Sequence, residues 1–408
     1  MTNFLWCIGG GLLQVPVINE ANKLGLKVIV TDNSENCICS KHADIFYKID
    51  IFDIEGHINL ASTIKNKFNI IGVLAAGIDA PITMSKLCEY LNLPGVSSKI
   101  SEIVHNKNKF REFAKSNKIP TPKFQLCNEN NLKDLDEILK KFKLPFIIKN
   151  VDSSGSRGTK IFYERDLQEE LKIAKEAIAV SKNNSFLVES VWKGLECTVE
   201  TLFDICGVFH ECFITDRHFN YSSGYPIETG LVSPSRLPKN IQKDCYKLAK
   251  DVSSKLGINI GAAKFDMIIT EQGPRIIEMT TRLSGGFDCQ YVVPASSGKN
   301  IIKAAIMTSC GMKFPDDLLI SKFDKTCVTG SHWPKNGILK KIYYLDEINS
   351  IKGLEHIFFR KKKGDKIQNY YNCTDRIDFL ICTGINYEDA KINLENALSK
   401  IVIEISDE

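Results

Sequence analysis

The 408-residue chain has no C-x-x-C anywhere, although it holds 14 cysteines. Cys37 and Cys39 make a lone C-x-C and the others are scattered through apolar runs, so neither a zinc ribbon nor a disulfide-exchange motif is present. Thiols placed in this way read as reduced core residues, and a cytoplasmic location is expected. Charge of either sign is not in excess: 53 Lys and Arg stand against 49 Asp and Glu, for a net charge of +4. That balance gives no electrostatic footprint for nucleic acid or for a polyanionic surface. No apolar run is long enough to span a bilayer. The first residues are apolar but lack a basic leader and a small-residue cleavage site, and they read as a buried strand. The pattern G-x-x-x-x-G-K-[ST] is missing, which excludes a P-loop, and no internal repeat is visible. What remains is a chain long enough for about two to four packed units, whose charge balance leaves a small acidic metabolite or a nucleotide open as ligand.

Residues Phe4 to Ile8 form a short apolar run, Gly9-Gly-Gly11 is a turn, and Gln14 to Leu24 repeats with helical period up to Gly25. Lys27 to Thr31 is a second strand closing on Asp32. This βαβ opening puts Asp32 at about the spacing a dinucleotide fold uses for its ribose acid, but Gln14 stands where the third glycine belongs. Ile45 to Lys48, Ile54 to Asn66, Ile71 to Ala75, the loop Ala76 to Asp79 and Pro81 to Leu91 continue the alternation. It predicts a parallel sheet in a Rossmann-like unit over about the first hundred residues.

Lys107 lies in an amphipathic helix that ends before Ile119-Pro-Thr-Pro122, a break into a new unit. A helical pattern follows over Asn131 to Lys141. The strand LPFIIKN then delivers Lys149 to the small-residue loop Asp152-Ser-Ser-Gly-Ser-Arg-Gly158, after which Lys160 to Tyr163 is extended again. Backbone amides in such a loop can cradle phosphates, with Lys149 supplying a point charge; a plain hairpin tip is the alternative. Phe186 to Ser190 is a strand ending in a carboxylate, and Gly194-Leu-Glu196 leads into the strand Cys197 to Phe203. Asp216-Arg-His218 through Ile227-Glu-Thr-Gly230 reads as one long loop before Pro234, and loops of that length are usually functional. Lys239 to Leu256 is an amphipathic helix.

Gly261 to Gly286 carries the strongest chemical signal. Lys264 to Ile269 and Arg275 to Thr280 alternate around a turn at Glu271 to Pro274, which predicts a β-hairpin. If Ile269 pairs with Arg275, Asp266 lies directly opposite Glu278. Two facing carboxylates repel each other, and a divalent cation with hard-oxygen preference, Mg²⁺ or Mn²⁺, turns that repulsion into a ligand set. Arg282 follows within reach, and Ser284-Gly-Gly286 allows backbone to approach a ligand closely. Beyond it, Lys299 to Met312 reads as a helix. The last hundred residues hold short strands (Lys325 to Thr329, Ile338 to Tyr344, Ile357 to Phe359, Ile377 to Thr383 and Ile401 to Ile405) and a helix over Tyr387 to Leu398. The basic run Arg360 to Lys363 reads as a solvated hairpin tip.

In order and approximate spacing, Lys107, Lys149 with Asp152 to Gly158, Glu189, Gly194-Leu-Glu196, Asp266, Glu278 and Arg282 resemble the ATP-grasp superfamily. The resemblance covers nearly the whole chain and is nearest to the L-amino-acid ligase and carbamoyl-phosphate-synthase-like branch. It implies an α/β chain with a Rossmann-like domain over residues 1–105, an ATP-grasp domain over 106–312 with 122–190 as a mobile lid, and a strand-rich region over 313–408. It implies ATP with Mg²⁺ or Mn²⁺ as cofactors. Lys107 and Lys149 match the two phosphate-holding lysines, and Ser153, Ser154, Gly155, Ser156, Arg157 and Gly158 match the flap. Glu189, Ser190 and Val191 match the adenine-facing hinge, Glu196 the acid near the ribose, Asp266 and Glu278 the metal carboxylates, and Arg282, with Lys149, the groups that steady the transferred phosphoryl. Arg217, His218, Glu228, Ser284, Gly285 and Gly286 are the expected substrate contacts. Thr280 departs from the family's asparagine and leaves one or two metal ions open.

The implied reaction is activation of a small carboxylic acid as an acyl phosphate, then attack by an amine, with release of ADP and phosphate. Small carboxylates and amines are the expected partners, with a second copy of the chain admissible, and neither nucleic acid nor membrane. Three alternatives stay open: bicarbonate activation in a carboxylase-type enzyme, a dinucleotide-dependent oxidoreductase resting on Gly9 to Gly11 and Asp32, and an inactive nucleotide-binding protein.

Overall fold

The computed structural model describes residues 2–406 except 154, 156, 345–347 and 372–374. Four parallel strands open the chain: β1 (Asn3–Ile8), β2 (Lys27–Asp32), β3 (Ile45–Lys48) and β4 (Asn69–Leu74), in the order β3-β2-β1-β4. Helices α1 (Val15–Lys23) and α2 (Ile54–Ile64) make the β1–β2 and β3–β4 crossovers, a 3-10 turn at Ile38–Lys41 lies between β2 and β3, and α3 (Pro81–Leu91) follows β4. The two inner strands, β1 and β2, are buried on both faces, with Leu5, Trp6, Cys7 and Ile8 fully inside, as a parallel sheet covered by helices requires. Two short helices follow, α4 (Ser98–His105) and α5 (Lys107–Ser116). Asn106 caps α5, its side chain accepting from the Lys109 amide at 2.9 Å.

A four-stranded antiparallel sheet comes next, β5 (Phe124–Asn128), β6 (Phe146–Asn150), β7 (Lys160–Phe162) and β8 (Ser185–Ser190), ordered β5-β8-β6-β7 and backed by α6 (Leu135–Leu139) and α7 (Leu167–Val180). The expected helix over 131–141 is in part a 3-10 turn, Glu129–Asp134.

The central sheet has eight strands in the order β13-β12-β9-β10-β11-β14-β18-β16. Its first five are β9 (Leu195–Phe203), β10 (Phe209–Asn220), β11 (Ile227–Ser233), β12 (Gly261–Thr270) and β13 (Gly273–Thr280), with α8 (Lys239–Leu256) between β11 and β12. The long loop expected over 216–230 is instead two paired strands, with Arg217 opposite Leu231 and His218 opposite Gly230. Their alternation is hidden in the sequence because the face that would ordinarily be apolar lines a polar cleft. After α9 (Val293–Ser297) and α10 (Ile301–Ser309) come β14 (Thr326–Gly330), β15 (Gly337–Tyr344), β16 (Leu354–Phe359), β17 (Lys366–Ile367), β18 (Asp378–Gly384), α11 (Tyr387–Ser399) and β19 (Ile401–Ser406). Strands β14, β18 and β16 extend the central sheet through β11, and β17-β15-β19 form a small sheet beside it.

Period-two alternation decides what each face of the central sheet does. Cys197, Val199, Phe265, Met267, Ile276 and Met279 turn to one side and pack with Val104, Phe110, Cys245, Ala249 and Val252 of α4, α5 and α8. Glu196, Thr198, Glu200, Lys264, Asp266, Glu278 and Thr280 take the other side.

Candidate active site

Asp266 does face Glu278 across β12 and β13, but not through a regular hairpin. Ile269 pairs with Pro274 and Ile268 with Arg275, one residue out of the register expected for the turn, and a bulge between Met267 and Asp266 restores it. Met267 pairs with Ile276 and Asp266 with Glu278, so Ile277 is the extra residue.

The Asp266 carboxylate is enclosed by cations: Arg217 Nη1 lies at 2.9 Å and Lys264 Nζ at 2.5 Å, and Thr198 Oγ1 donates to it at 3.1 Å. Burial pushes this carboxyl up, but Arg217 and Lys264 outweigh it and hold it at about 2. Glu278 is more open, its side chain 38% exposed, with Lys107 Nζ 3.7 Å away. Arg217 is shared with Glu228, which accepts from Nε at 2.7 Å; Arg376, from the C-terminal region, donates to the Glu228 carbonyl at 3.2 Å. His218 is exposed and, by alternation, turned from the face that carries Arg217.

Lys107 and Asn150 meet the glycine-rich loop from two directions. Lys107 Nζ donates to the Ser153 carbonyl at 2.7 Å, and Asn150, next to Lys149, accepts from the Ser153 amide at 2.6 Å and donates to the Arg157 carbonyl. Gly155 and Gly158 have φ of +70° and +59°, and a Cβ on Gly158 would sit 2.8 Å from the Ala177 backbone. Ser154 and Ser156 lie outside the described residues. On the adjoining strand, Glu189 is clasped by two cations, with Arg111 Nε at 2.8 Å and Lys149 Nζ at 2.6 Å, and all three side chains are buried. Burial raises the Glu189 carboxyl, yet Arg111 and Lys149 hold it at about 2. Two cations around one anion leave a surplus positive charge, and burial with Arg111 alongside brings Lys149 down to about 8. A phosphate would settle that surplus. The Ser190 and Val191 amides donate to the Lys123 and Pro145 carbonyls at 2.9 and 3.5 Å. Tyr221 donates its hydroxyl to Glu196, whose carboxyl burial shifts upward.

Arg282 Nη1 donates to the Leu283 carbonyl at 3.0 Å and Nη2 lies 3.9 Å from Asp79 of the first domain. Gly77, two residues before Asp79, donates its amide to the Leu283 carbonyl at 3.2 Å, so the first domain closes this end of the cleft. Ser284 donates its amide to Glu200 Oε2 at 2.8 Å, and Gly285 and Gly286 form the turn that follows, Gly286 at φ +70°. Glu200 Oε1, Thr280 Oγ1 and Arg282 Nε are buried without a hydrogen-bond partner, an arrangement that calls for a ligand or water.

A divalent metal fits these residues. Among the described residues no cluster of three or more His, Cys, Asp or Glu surrounds one point. The donor set is two facing carboxylates and the unpartnered Thr280 hydroxyl. That is the sparse oxygen set of Mg²⁺ or Mn²⁺, which fill their remaining positions with water and phosphate.

Motif spacing alone does not single out Arg111, Glu200, Lys264 or Asp79. Arg111 stands one helical turn after Lys107, Glu200 continues the polar alternation Glu196-x-Thr198-x-Glu200, and Lys264 precedes Asp266 by two, so each carries a periodic signal. The glycine-rich turn of the first domain is already committed: the Gly10 amide donates to Asp32 at 2.8 Å and the Gly11 amide to Gln14 at 2.9 Å. A Cβ on Gly10 would lie 2.4 Å from Cys37 Sγ. The pyrophosphate seat of a dinucleotide enzyme is therefore filled by the chain's own side chains.

Fold and cleft set two antiparallel sheets on either side of a glycine-rich flap, the architecture of an ATP-grasp domain. Residues 142–290 match the ATP-grasp domain family and residues 332–406 match L-amino acid ligase C-terminal domain 2. The chain is 25% identical over 98% of its length to the formate-dependent phosphoribosylglycinamide formyltransferase of Sulfurisphaera tokodaii, of which it covers 96%. Among solved structures it resembles the L-amino acid ligase of Bacillus licheniformis, with a TM-score of 0.82, 21% identity and coverage of 100% and 99% of the two chains. It also resembles the biotin carboxylase domain of 2-oxoglutarate carboxylase from Hydrogenobacter thermophilus, solved with MgADP, ADP and bicarbonate, with a TM-score of 0.74, 19% identity and coverage of 98% and 90%. The chain thus carries an ATP-grasp domain joined to a C-terminal region that matches the L-amino acid ligase family, and its fold is the one these solved ATP-grasp enzymes share. Among the described residues no helix is long and apolar enough to cross a membrane.

Proposed function

We propose that the enzyme phosphorylates a small carboxylic acid with ATP and lets an amine displace the phosphate to give an amide. A carboxylate is a poor electrophile. Transfer of the γ-phosphoryl makes a P–O bond to the carboxylate oxygen and breaks the bond to ADP; the amine then forms the C–N bond, phosphate leaves with the carboxylate oxygen, and the amine gives up a proton. The chemistry needs positioning and charge neutralisation rather than a protein nucleophile.

The observation that carries this reading is the placement of Asp266 against Glu278, with Lys107 reaching both Glu278 and the flap base at Ser153. Lys107, Lys149 and the flap amides are assigned to the phosphates, Glu189 to Val191 to the base, Glu196 to the ribose, and Arg282 to the transferred phosphoryl. Asp266 and Glu278 would hold Mg²⁺, which when bound neutralises charge on the phosphate oxygens. Both substrates are proposed to be amino acids. The match of residues 332–406 to an L-amino acid ligase domain supports this, as does the reach of Arg376 from that region to Glu228.

The test is to incubate the protein with Mg-ATP and pools of amino acids and to measure nucleotide and phosphate. Substrate-dependent ADP and phosphate with a dipeptide product is the expected result. AMP with pyrophosphate would overturn the acyl-phosphate route, and ADP release with bicarbonate as the only acid would move the enzyme to the carboxylase type.

A further inference from the structure

Glu278 reaches the cleft only because of the bulge at Ile277. In a hairpin that kept the pairing of Met267 with Ile276, Ile277 would face Asp266 and Glu278 would face Phe265, on the apolar side packed against α8. A one-residue slip turns every side chain to the opposite face. A bulge also leaves backbone groups without ladder partners, and β13 is an edge strand with no strand paired beyond it among the described residues. At that irregularity the carbonyls of Ile277 and Ile276 accept from Arg111, Nη2 at 2.7 Å and Nη1 at 3.4 Å. The same guanidinium binds Glu189 through Nε at 2.8 Å and Nη2 at 3.3 Å.

We propose that Arg111 is the positioning residue that holds the β13 bulge and so sets Glu278 against Asp266, and that it ties this carboxylate to Glu189 on the lid strand β8. The inference rests on the reading of Asp266 and Glu278 as the metal carboxylates. Arg111 and Lys107 share one face of α5, a turn apart. Lys107 meets Glu278 and the flap base, and Arg111 meets the bulge and Glu189, so α5 is a strut between the two sheets of the cleft. Arginine suits the task because its planar fork serves a carboxylate and two carbonyls at once, which the single ammonium of lysine does not.

The experiment measures Mn²⁺ binding by the loss of the free-ion electron paramagnetic resonance signal, with ADP present, beside metal-free ADP binding and thermal unfolding. Arg111→Met leaves a neutral Lys149–Glu189 pair and is expected to unfold cooperatively; because it also gives up surplus charge near the phosphates, Mn²⁺ is titrated at ADP saturation, set for each protein by its own metal-free ADP binding. Its Mn²⁺ affinity is expected to fall by about tenfold or more, the range for groups that orient a ligand from behind. Deletion of Ile277 in the same variant straightens the hairpin while keeping Glu278 opposite Asp266, and is expected to restore most of the loss. Wild-type Mn²⁺ affinity in Arg111→Met, or a loss that the deletion does not repair, would overturn the proposal. Should Arg111→Met not fold, Arg111→Lys keeps the charge beside Glu189 and decides: a loss of about threefold or more supports it, and unchanged affinity overturns it. Wild-type protein that binds no nucleotide would bring down the ligase reading and this inference together, a result told apart because it needs no variant.

Discussion

Arg217 and Asp266 stand two strands apart in the central sheet, and the guanidinium reaches over β9 to within 2.9 Å of the carboxylate. With Lys264 on its other oxygen at 2.5 Å, Asp266 is neutralised by the chain itself before any metal arrives. Among the described residues, Glu278 has Lys107 alone as an ionic partner, at 3.7 Å. The two acids assigned to one metal therefore differ in what else they do for the fold.

That difference is measurable. Glu278→Gln is expected to change unfolding free energy by no more than about 0.5 kcal/mol, as at an exposed site, and to reduce ligase turnover by about a hundredfold or more. Asp266→Asn removes the buried anion between two partly buried cations and is expected to cost about 3–5 kcal/mol of stability in addition. Denaturant titration beside ADP-release assays reads both quantities, and equal stability of the two variants would contradict the assignment.

Lys149 predicts a pH limit on nucleotide affinity. Its ammonium is held down to about 8, so the free enzyme loses that charge as pH rises through this value, and the phosphates lose a partner. ADP affinity measured by calorimetry is expected to fall by about tenfold per pH unit above pH 8. Lys149→Arg, charged throughout, should flatten the decline. A flat wild-type profile to pH 9.5 would show that Lys149 does not hold the phosphates.

Glu200 predicts a pH effect on stability rather than on affinity. Burial pushes its carboxyl up to about 7 against the pull of the Ser284 amide, Lys264 and Arg282. A folded-state value above the unfolded one means the native state holds the proton more tightly, so this group destabilises the fold as pH rises from about 4.5 to 7. Relative to Glu200→Gln, the wild type is expected to lose about 3 kcal/mol across that interval. Thermal unfolding of both proteins between pH 4.5 and 8 checks the sign.

The C-terminal region is not expected to be dispensable. Val232 and Ser233 of β11 pair with β14, and Leu231 and Phe287 share a core with Cys327, Phe379 and Ile381. A chain ending at residue 312 would expose that strand edge and that apolar face, and its circular dichroism melt is expected to lose cooperativity. A soluble, cooperatively melting 1–312 fragment would refute this.

Most elements were legible in the sequence because they bury one regular face. The first parallel sheet, α3 over Pro81–Leu91, α8 over Lys239–Leu256 and the hairpin that carries both Asp266 and Glu278 all follow from apolar period and turn residues. Strands β10 and β11 were not legible, since the cleft leaves their expected apolar face polar. Lys107, Lys149, the flap and Arg282 were visible from order and spacing, whereas Arg111, Glu200 and Asp79 are ordinary charged residues until their partners, far along the chain, are brought to them.

Local pattern by itself therefore determined where strands and helices fall and which acids share a hairpin, because alternation and turn chemistry act over a few residues. Only the tertiary structure decided how Glu278 comes to face the cleft, through an extra residue at Ile277 and a guanidinium from a helix about 165 positions earlier. It likewise decided that residues 326–384 would complete a sheet begun at Leu195. Contacts at such separations depend on the shape of the whole chain, and no window of sequence contains them.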